Sequence, residues 1–219
     1  MAVDPHTEPH FAASALLTID LQVDFLDGGA SPVEGTTAIL PASRRVVDSF
    51  RAAERPIVHV VRLYLADGSN ADLCRKKVAA TDPGLVRPGT PGSQLAATLF
   101  DTAPDLDTER LLCGLLQEIG PSEWVLYKPR WNAFYATPLE RWLVGRGVDT
   151  VVITGCNYPN CPRGTIFGAS ERDFRIVAVN TAISRLTREA PTEMAGLGVA
   201  VLDDDQVVTA IADRARRRP

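Results

Sequence analysis

VVITGCNYPNCPRGTIFGASERDF, residues 151–174, reads as a short apolar strand, a turn rich in Gly, Asn and Pro, and a helix that starts at about residue 162. An unbroken apolar run such as VVITG suits a strand buried on both faces of a parallel sheet. Cys161 then stands at the carboxyl end of that sheet and at a helix N-terminus. Open α/β sheets bind ligands along that edge, and unsatisfied N–H groups at a helix start favour the thiolate form of a cysteine. Free cysteines are more often simple packing, so two further segments decide between the readings.

Moving outward, ALLTIDLQVDF (15–25) is a strand that ends in Asp20, followed by Gln22, Asp24 and Phe25. In WVLYKPRWNAFYATPLERWL (124–143) a strand ends at Lys128, and an aromatic stretch leads to a helix near Pro138. Parallel strands would bring Asp20, Lys128 and Cys161 to one crevice: a base, a cation and a nucleophile, a set that suits amide hydrolysis. Strand signals at about 15–20, 56–62, 123–128, 149–155, 174–179 and 198–202 alternate with helix signals at about 36–54, 138–146, 162–172, 188–196 and 205–215. Pro41 falls in the first turn of the first helix, where a missing N–H costs nothing. The expected fold is α/β, an open and mostly parallel six-stranded sheet with helices on both faces.

One domain is expected over 15–215 after a tail at 1–14, with a long inserted region at 64–121. Within that region 83–105, with Pro83, Pro88, Pro91 and Pro104, reads as loop, and TERLLCGLLQEI (108–119) reads as an apolar helix. Such an insertion would form a lid or an oligomer contact and carry specificity.

Three ordered motifs, TIDLQVDF (18–25), KPRWNAF (128–134) and GCNYPNC (155–161), resemble those of the isochorismatase-like cysteine hydrolases, which include nicotinamidases, N-carbamoylsarcosine amidase, biuret hydrolase and streptothricin hydrolase; the likeness covers about 15–203. The resemblance implies that Cys161 attacks an amide carbonyl to form a thioester, that Asp20 takes and returns the proton, and that Lys128 stabilises the thiolate. It also implies a cis peptide between Cys156 and Asn157, and an oxyanion hole made by the Asn157 and Cys161 N–H groups. Gln22, Phe25, Trp131, Tyr135 and Tyr158 are the candidate substrate contacts, Gln22 by positioning the active-site loop.

Nicotinamidases of this family carry a metal site after the second strand. Here HVVRLYLADGSNADLCRKK (59–77) has one His, inside the strand, so no metal or other cofactor is expected. Members that cleave a vinyl ether by acid catalysis lack the nucleophile, which Cys161 supplies here. GCNYPNCPR, ASERDFR and RLYLADGSNADLCR resemble the streptothricin-hydrolase branch, which opens an antibiotic lactam; Asp67, Asp72 or Asp24 would meet its basic group. Ureido, carbamoyl and nicotinamide-type amides are the alternatives. A catalytically silent binding member would be expected to lose one of Asp20, Lys128 and Cys161, and all three are present.

The 219 residues, 45% hydrophobic, suffice for one α/β core. A net charge of −4 offers no field for nucleic acid. No apolar run reaches membrane-spanning length and no signal pattern opens the chain, so a cytoplasmic protein is expected. Family members are often dimers or tetramers, and a homo-oligomer is expected. Arg214, Arg216, Arg217 and Arg218 read as a solvated helix end. Four unevenly spaced cysteines form no disulfide framework: Cys74, Cys113 and Cys156 are expected free, Cys113 packed on its helix and Cys156 buried in the loop. His59 reads as a satisfied core histidine, Arg163 as the partner of Glu171 or Asp173 or of a substrate carboxylate, and Arg62 and Arg130 stay open.

Overall fold

The computed structural model describes residues 4–82 and 84–215, the side chains of 214 and 215 excepted. Pro83 and the arginine cluster at 214–218 therefore lie outside the described residues and side chains. Seven strands form one sheet: β1 (Ser14–Ile19), β2 (Ile57–Val61), β3 (Gln117–Gly120), β4 (Glu123–Tyr127), β5 (Thr150–Gly155), β6 (Arg175–Ile183) and β7 (Ala200–Leu202), in the spatial order β3-β4-β2-β1-β5-β6-β7. All neighbours are parallel except β3 with β4. The reversal of strand order on either side of β1 makes the carboxyl ends of β1 and its neighbours the crevice of the fold.

Alternation along the strands sorts the core into two layers. On one face Ala15, Leu17 and Ile19 pack with α4 (Leu139–Val144), α5 (Cys161–Ser170) and α6 (Ala190–Gly196). On the other, Leu16, Ile57 and Val152 pack with α1 (Leu40–Ala52) and α7 (Asp204–Ala215). Pro41 opens α1 as expected. Residues 4–13, read as a tail, run against the domain: the His10 N–H donates to Thr150 Oγ1 at 3.0 Å and its ring meets Asp149 at 2.7 Å.

The sheet has one strand more than the sequence suggested. The stretch 108–119 is not one helix: α3 covers only Thr108–Leu112, capped by Asp107, and Gly114 at φ +76° turns the chain into β3 on the sheet edge. Cys113 is consequently exposed and does not pack. The other α-helix described in the insertion, α2, spans Lys76–Thr81, and three single turns of 3-10 helix lie at Leu73–Arg75, Pro91–Ser93 and Ala97–Leu99. Among the described residues no helix is long and apolar enough to cross a membrane.

His59, fully buried in β2, bonds Thr18 Oγ1 at 2.7 Å and Glu123 Oε1 at 2.6 Å, and Arg51 clamps the same carboxylate at 2.7 and 2.9 Å. Burial lowers the His59 pKa, so the ring is neutral. Burial also opposes ionisation of Glu123, but the hydrogen bonds from His59 and Arg51 outweigh it and hold the carboxyl at about 2.

Candidate active site

β1 ends at Ile19 and the backbone turns sharply, Asp20 taking a left-handed φ of +52°. Its N–H donates to Val60 O at 2.8 Å, which fixes the turn against β2. Lys128, the residue after β4, is fixed in the same way by donation to Val61 O at 3.0 Å. Its side chain is completely buried, and Nζ donates to Asp20 Oδ2 at 2.8 Å. The other carboxylate oxygen, Oδ1, is buried with no hydrogen-bond partner among the described residues.

The third strand end brings in the thiol. At Gly155, φ +120°, any Cβ would run into the Ile19 backbone, and the Cys156 N–H donates to Ile19 O at 2.8 Å. Only glycine allows β5 and β1 to approach so closely there. The Cys156–Asn157 peptide is cis. After the turn, Cys161 is the first residue of α5 and faces the same cavity as Asp20. Its thiol is pushed up to about 12, first by burial and then by the Asp20 carboxylate, against the opposing pull of Lys128 and Arg62. Burial and the Asp20 carboxylate thus favour the thiol, against the thiolate that a helix start favours, and the group acts as a nucleophile by passing its proton to a neighbour. Asp20 Oδ1 is the available acceptor.

Gly164, against Trp131 and Asn132, and Gly168 let the loop after Lys128 pack close on α5. A Cβ at Gly168 would collide with the Asn132 side chain. Asn132 Oδ1 accepts from Phe134 N at 2.8 Å, and Thr165 Oγ1 accepts from Ala133 N at 3.1 Å. Trp131 is thereby held at the cavity wall and Phe134 stacks on Phe174 in the core.

The cavity holds about 190 Å³. Phe25 and Trp131 border it, as do Asn157 and Cys156, whose thiol burial drives up to about 11. The other sequence candidates lie elsewhere. Gln22 is completely buried, accepts from Arg62 N at 2.7 Å and donates to Arg62 O and Ser93 O at 2.9 and 2.7 Å; it ties β1, β2 and the insertion together and cannot touch a substrate. Tyr158 is buried among the apolar residues under α5 and α6, and Tyr135 points to solvent, 55% exposed.

Asp24 is buried, accepts from Val86 N at 2.6 Å and anchors the insertion. Asp72 lies 3.3 Å from Arg62 and 3.6 Å from Arg130, and Asp67 accepts from Ser69 N in its own exposed turn. None of the three is a free carboxylate at the mouth. Arg163 pairs with Glu193 at 3.5 Å, not with Glu171 or Asp173. Residues not singled out in the sequence complete the walls: Tyr64, Arg75, Val78 and Leu85 from the insertion, and Arg185 from just beyond β6. The position of Arg185 at a strand's carboxyl end was the one available signal.

A metal does not fit here. No three His, Cys, Asp or Glu side chains converge among the described residues. The wall after β2 presents the cations Arg62 and Arg75, and of the carboxylates after that strand Asp72 is paired with Arg62 at 3.3 Å and Asp67 sits in its own exposed turn.

A family model described as the isochorismatase domain matches residues 14–206. The chain belongs to that family. A solved isochorismatase family protein from Desulfovibrio vulgaris superposes with a TM-score of 0.76 at 33% identity, over 94% of this chain and 99% of that one. A relative from Arabidopsis thaliana named a probable inactive nicotinamidase is 32% identical over 85% of this chain and 90% of its own length. A ureidoacrylate amidohydrolase of Methylobacterium radiotolerans is 28% identical over 80% of this chain and 66% of that protein. The isochorismatase-like fold expected from the three motifs is the fold observed.

Proposed function

We propose that the protein is a cysteine-dependent amidohydrolase that acts on a small amide or ureido compound through a thioester. The observation that carries this reading is the pairing at the crevice: Cys161 faces Asp20, whose Oδ2 is held by Lys128 at 2.8 Å while Oδ1 has no partner among the described residues. The Cys161 proton passes to Asp20 as sulfur bonds to the carbonyl carbon. The resulting oxyanion takes hydrogen bonds from the backbone N–H groups of Asn157 and Cys161. As the C–N bond breaks, Asp20 returns its proton to the leaving nitrogen. Water then loses a proton to Asp20 and adds to the thioester; as the C–S bond breaks Asp20 returns that proton to the sulfur, and the acid and the free thiol result. Lys128 occupies Oδ2 of Asp20 and leaves Oδ1 as the acceptor for the proton.

A cavity of about 190 Å³ exceeds the roughly 150 Å³ that takes up benzene and falls below the roughly 300–1,000 Å³ of drug-sized sites. It therefore favours a small substrate. The name of the Methylobacterium relative supports a ureido compound. The lactam of a guanidino-bearing antibiotic is a poorer fit, because Arg62, Arg75 and Arg185 line the cavity and Asp24 and Asp72 are already engaged. A silent binding protein is the competing class, given the name of the Arabidopsis relative.

The test is ammonia release by wild type and Cys161→Ala from ureidoacrylate, N-carbamoylglycine and nicotinamide, with streptothricin followed by mass. Release from a small amide by wild type alone supports the proposal. Ring opening of streptothricin without reaction of the small amides would return the lactam reading, and inertness toward all four would favour a binding protein.

A further inference from the structure

We propose that the substrate carries a carboxylate, and that Arg75 and Arg185 receive it; the inference rests on the amidohydrolase reading and specifies its substrate class. The charges that border the cavity do not balance. Asp20 is neutralised by Lys128 at 2.8 Å, and Arg62 by Asp72 at 3.3 Å. Arg75 and Arg185 remain, and neither forms an ion pair among the described residues. The chain as a whole is acidic, with a net charge of −4, so the surplus of positive charge is local to this crevice.

Both guanidinium groups are positioned with respect to the thiol. Arg75 stands directly before α2, and its Nη2 donates to the side-chain oxygen of Asn160, the residue before Cys161. Arg185 follows β6 in a left-handed conformation, φ +55°. Its neighbour Ser184 is bonded twice to the nucleophile segment, Ser184 N donating to Gly155 O at 3.1 Å and Ser184 O accepting from Tyr158 N at 2.9 Å. The two arginines thus approach one small cavity from separate chain segments, the insertion and the β6–α6 connection.

The rest of the lining includes Phe25, Val33, Val78, Leu85 and Trp131. Apolar walls strengthen the field of a fixed charge and raise the local concentration of an oppositely charged ligand. The planar guanidinium matches a carboxylate in geometry as well as in charge. Arg75 is half-buried and Arg185 exposed where they line the cavity, so an anion that enters meets both guanidinium groups without having to displace an ion-pair partner. The substrate class is therefore a small carboxylate with an amide or ureido group a few bonds away, such as the half-amide of a dicarboxylic acid or an N-carbamoyl amino acid.

The experiment uses calorimetric binding to the full-length Cys161→Ala protein, which separates recognition from turnover. The probes are maleamate and N-carbamoylglycine, each against its own methyl ester. The acids are expected to bind at least about tenfold more tightly than the esters, with an advantage that shrinks as salt is raised. Arg75→Gln and Arg185→Gln should each weaken the acids about tenfold and leave the esters unchanged; Arg141→Gln, exposed on α4, is the control for a general change in charge. Equal binding of acid and ester, acids insensitive to both substitutions, or no binding of the acids at about 10 mM would each overturn the proposal. If the acids bind as expected and the wild type does not hydrolyse them, the amidohydrolase reading fails and anion recognition stands.

Discussion

Asp20→Asn removes more than a proton acceptor. Lys128 is completely buried and its ammonium has Asp20 Oδ2 at 2.8 Å. At that distance, with an effective dielectric constant of about 20, the attraction is about 6 kcal/mol. Loss of one partner from a buried pair costs about 3–5 kcal/mol. Asp20→Asn is therefore expected to lower unfolding stability by about 3–5 kcal/mol, and its inactivity alone would say little about chemistry. The double substitution Asp20→Asn with Lys128→Met replaces two charges by two neutral groups of similar size and should recover stability to within about 1–2 kcal/mol of wild type. It should remain inactive. Urea denaturation of the three proteins at pH 7, with ammonia release measured on the same samples, provides both readouts. An Asp20→Asn protein as stable as wild type would refute the buried ion pair, and turnover by the double variant would refute Asp20 as the proton acceptor.

Further outcomes follow from other contacts. Holding Glu123 at about 2 in place of its ordinary 4.5 corresponds to about 3 kcal/mol; because the folded pKa is depressed, this stability is present above pH 4.5 and is lost as pH falls through 2. Denaturation curves for Glu123→Gln should show the loss already at neutral pH and a flatter acid limb, and a variant as stable as wild type at pH 7 would contradict this. With the Cys161 thiol at about 12 against an ordinary 9, the thiolate fraction at pH 7.5 is about a thousandfold smaller than for a free thiol. The greater nucleophilicity of a basic thiolate offsets part of that, so alkylation by iodoacetamide should be about 30- to 60-fold slower and rise with pH; fast alkylation independent of pH between 6 and 8 would mean a resting thiolate. Gly168→Ala pushes a methyl into Asn132 and should cost about 1–3 kcal/mol as an overpacked contact, seen in thermal melts and in a raised KM through displacement of Trp131; a melt unchanged within about 1 °C would contradict the close contact.

The strand ends were legible because a buried parallel strand reads as a largely apolar run and the charged residue that follows it marks the carboxyl edge. Ile19 then Asp20, and Tyr127 then Lys128, follow that rule directly. β3 was not legible, since LLCGLLQEI is as apolar as a helix face and the break depends on Gly114 adopting φ +76°. Asp24 and Gln22 show a different limit: pattern places them near the cleft, but which way each side chain turns is set by Val86, Arg62 and Ser93, which lie 40 to 71 residues away in sequence. Arg75 reaches the site only because the insertion folds back over the sheet, and Arg185 because β6 runs on to Ile183 beyond the expected end at 179. Long-range docking of this kind leaves no local periodicity to read.

The thioester on Cys161 is tested most directly by acid-quenched intact-protein mass spectrometry of wild type and Cys161→Ala during turnover of a hydrolysed amide. The thioester route predicts a transient wild-type species heavier by the substrate less ammonia, mapped to Cys161 and missing from the variant, which releases no ammonia. Ammonia release by Cys161→Ala at the wild-type rate would contradict it.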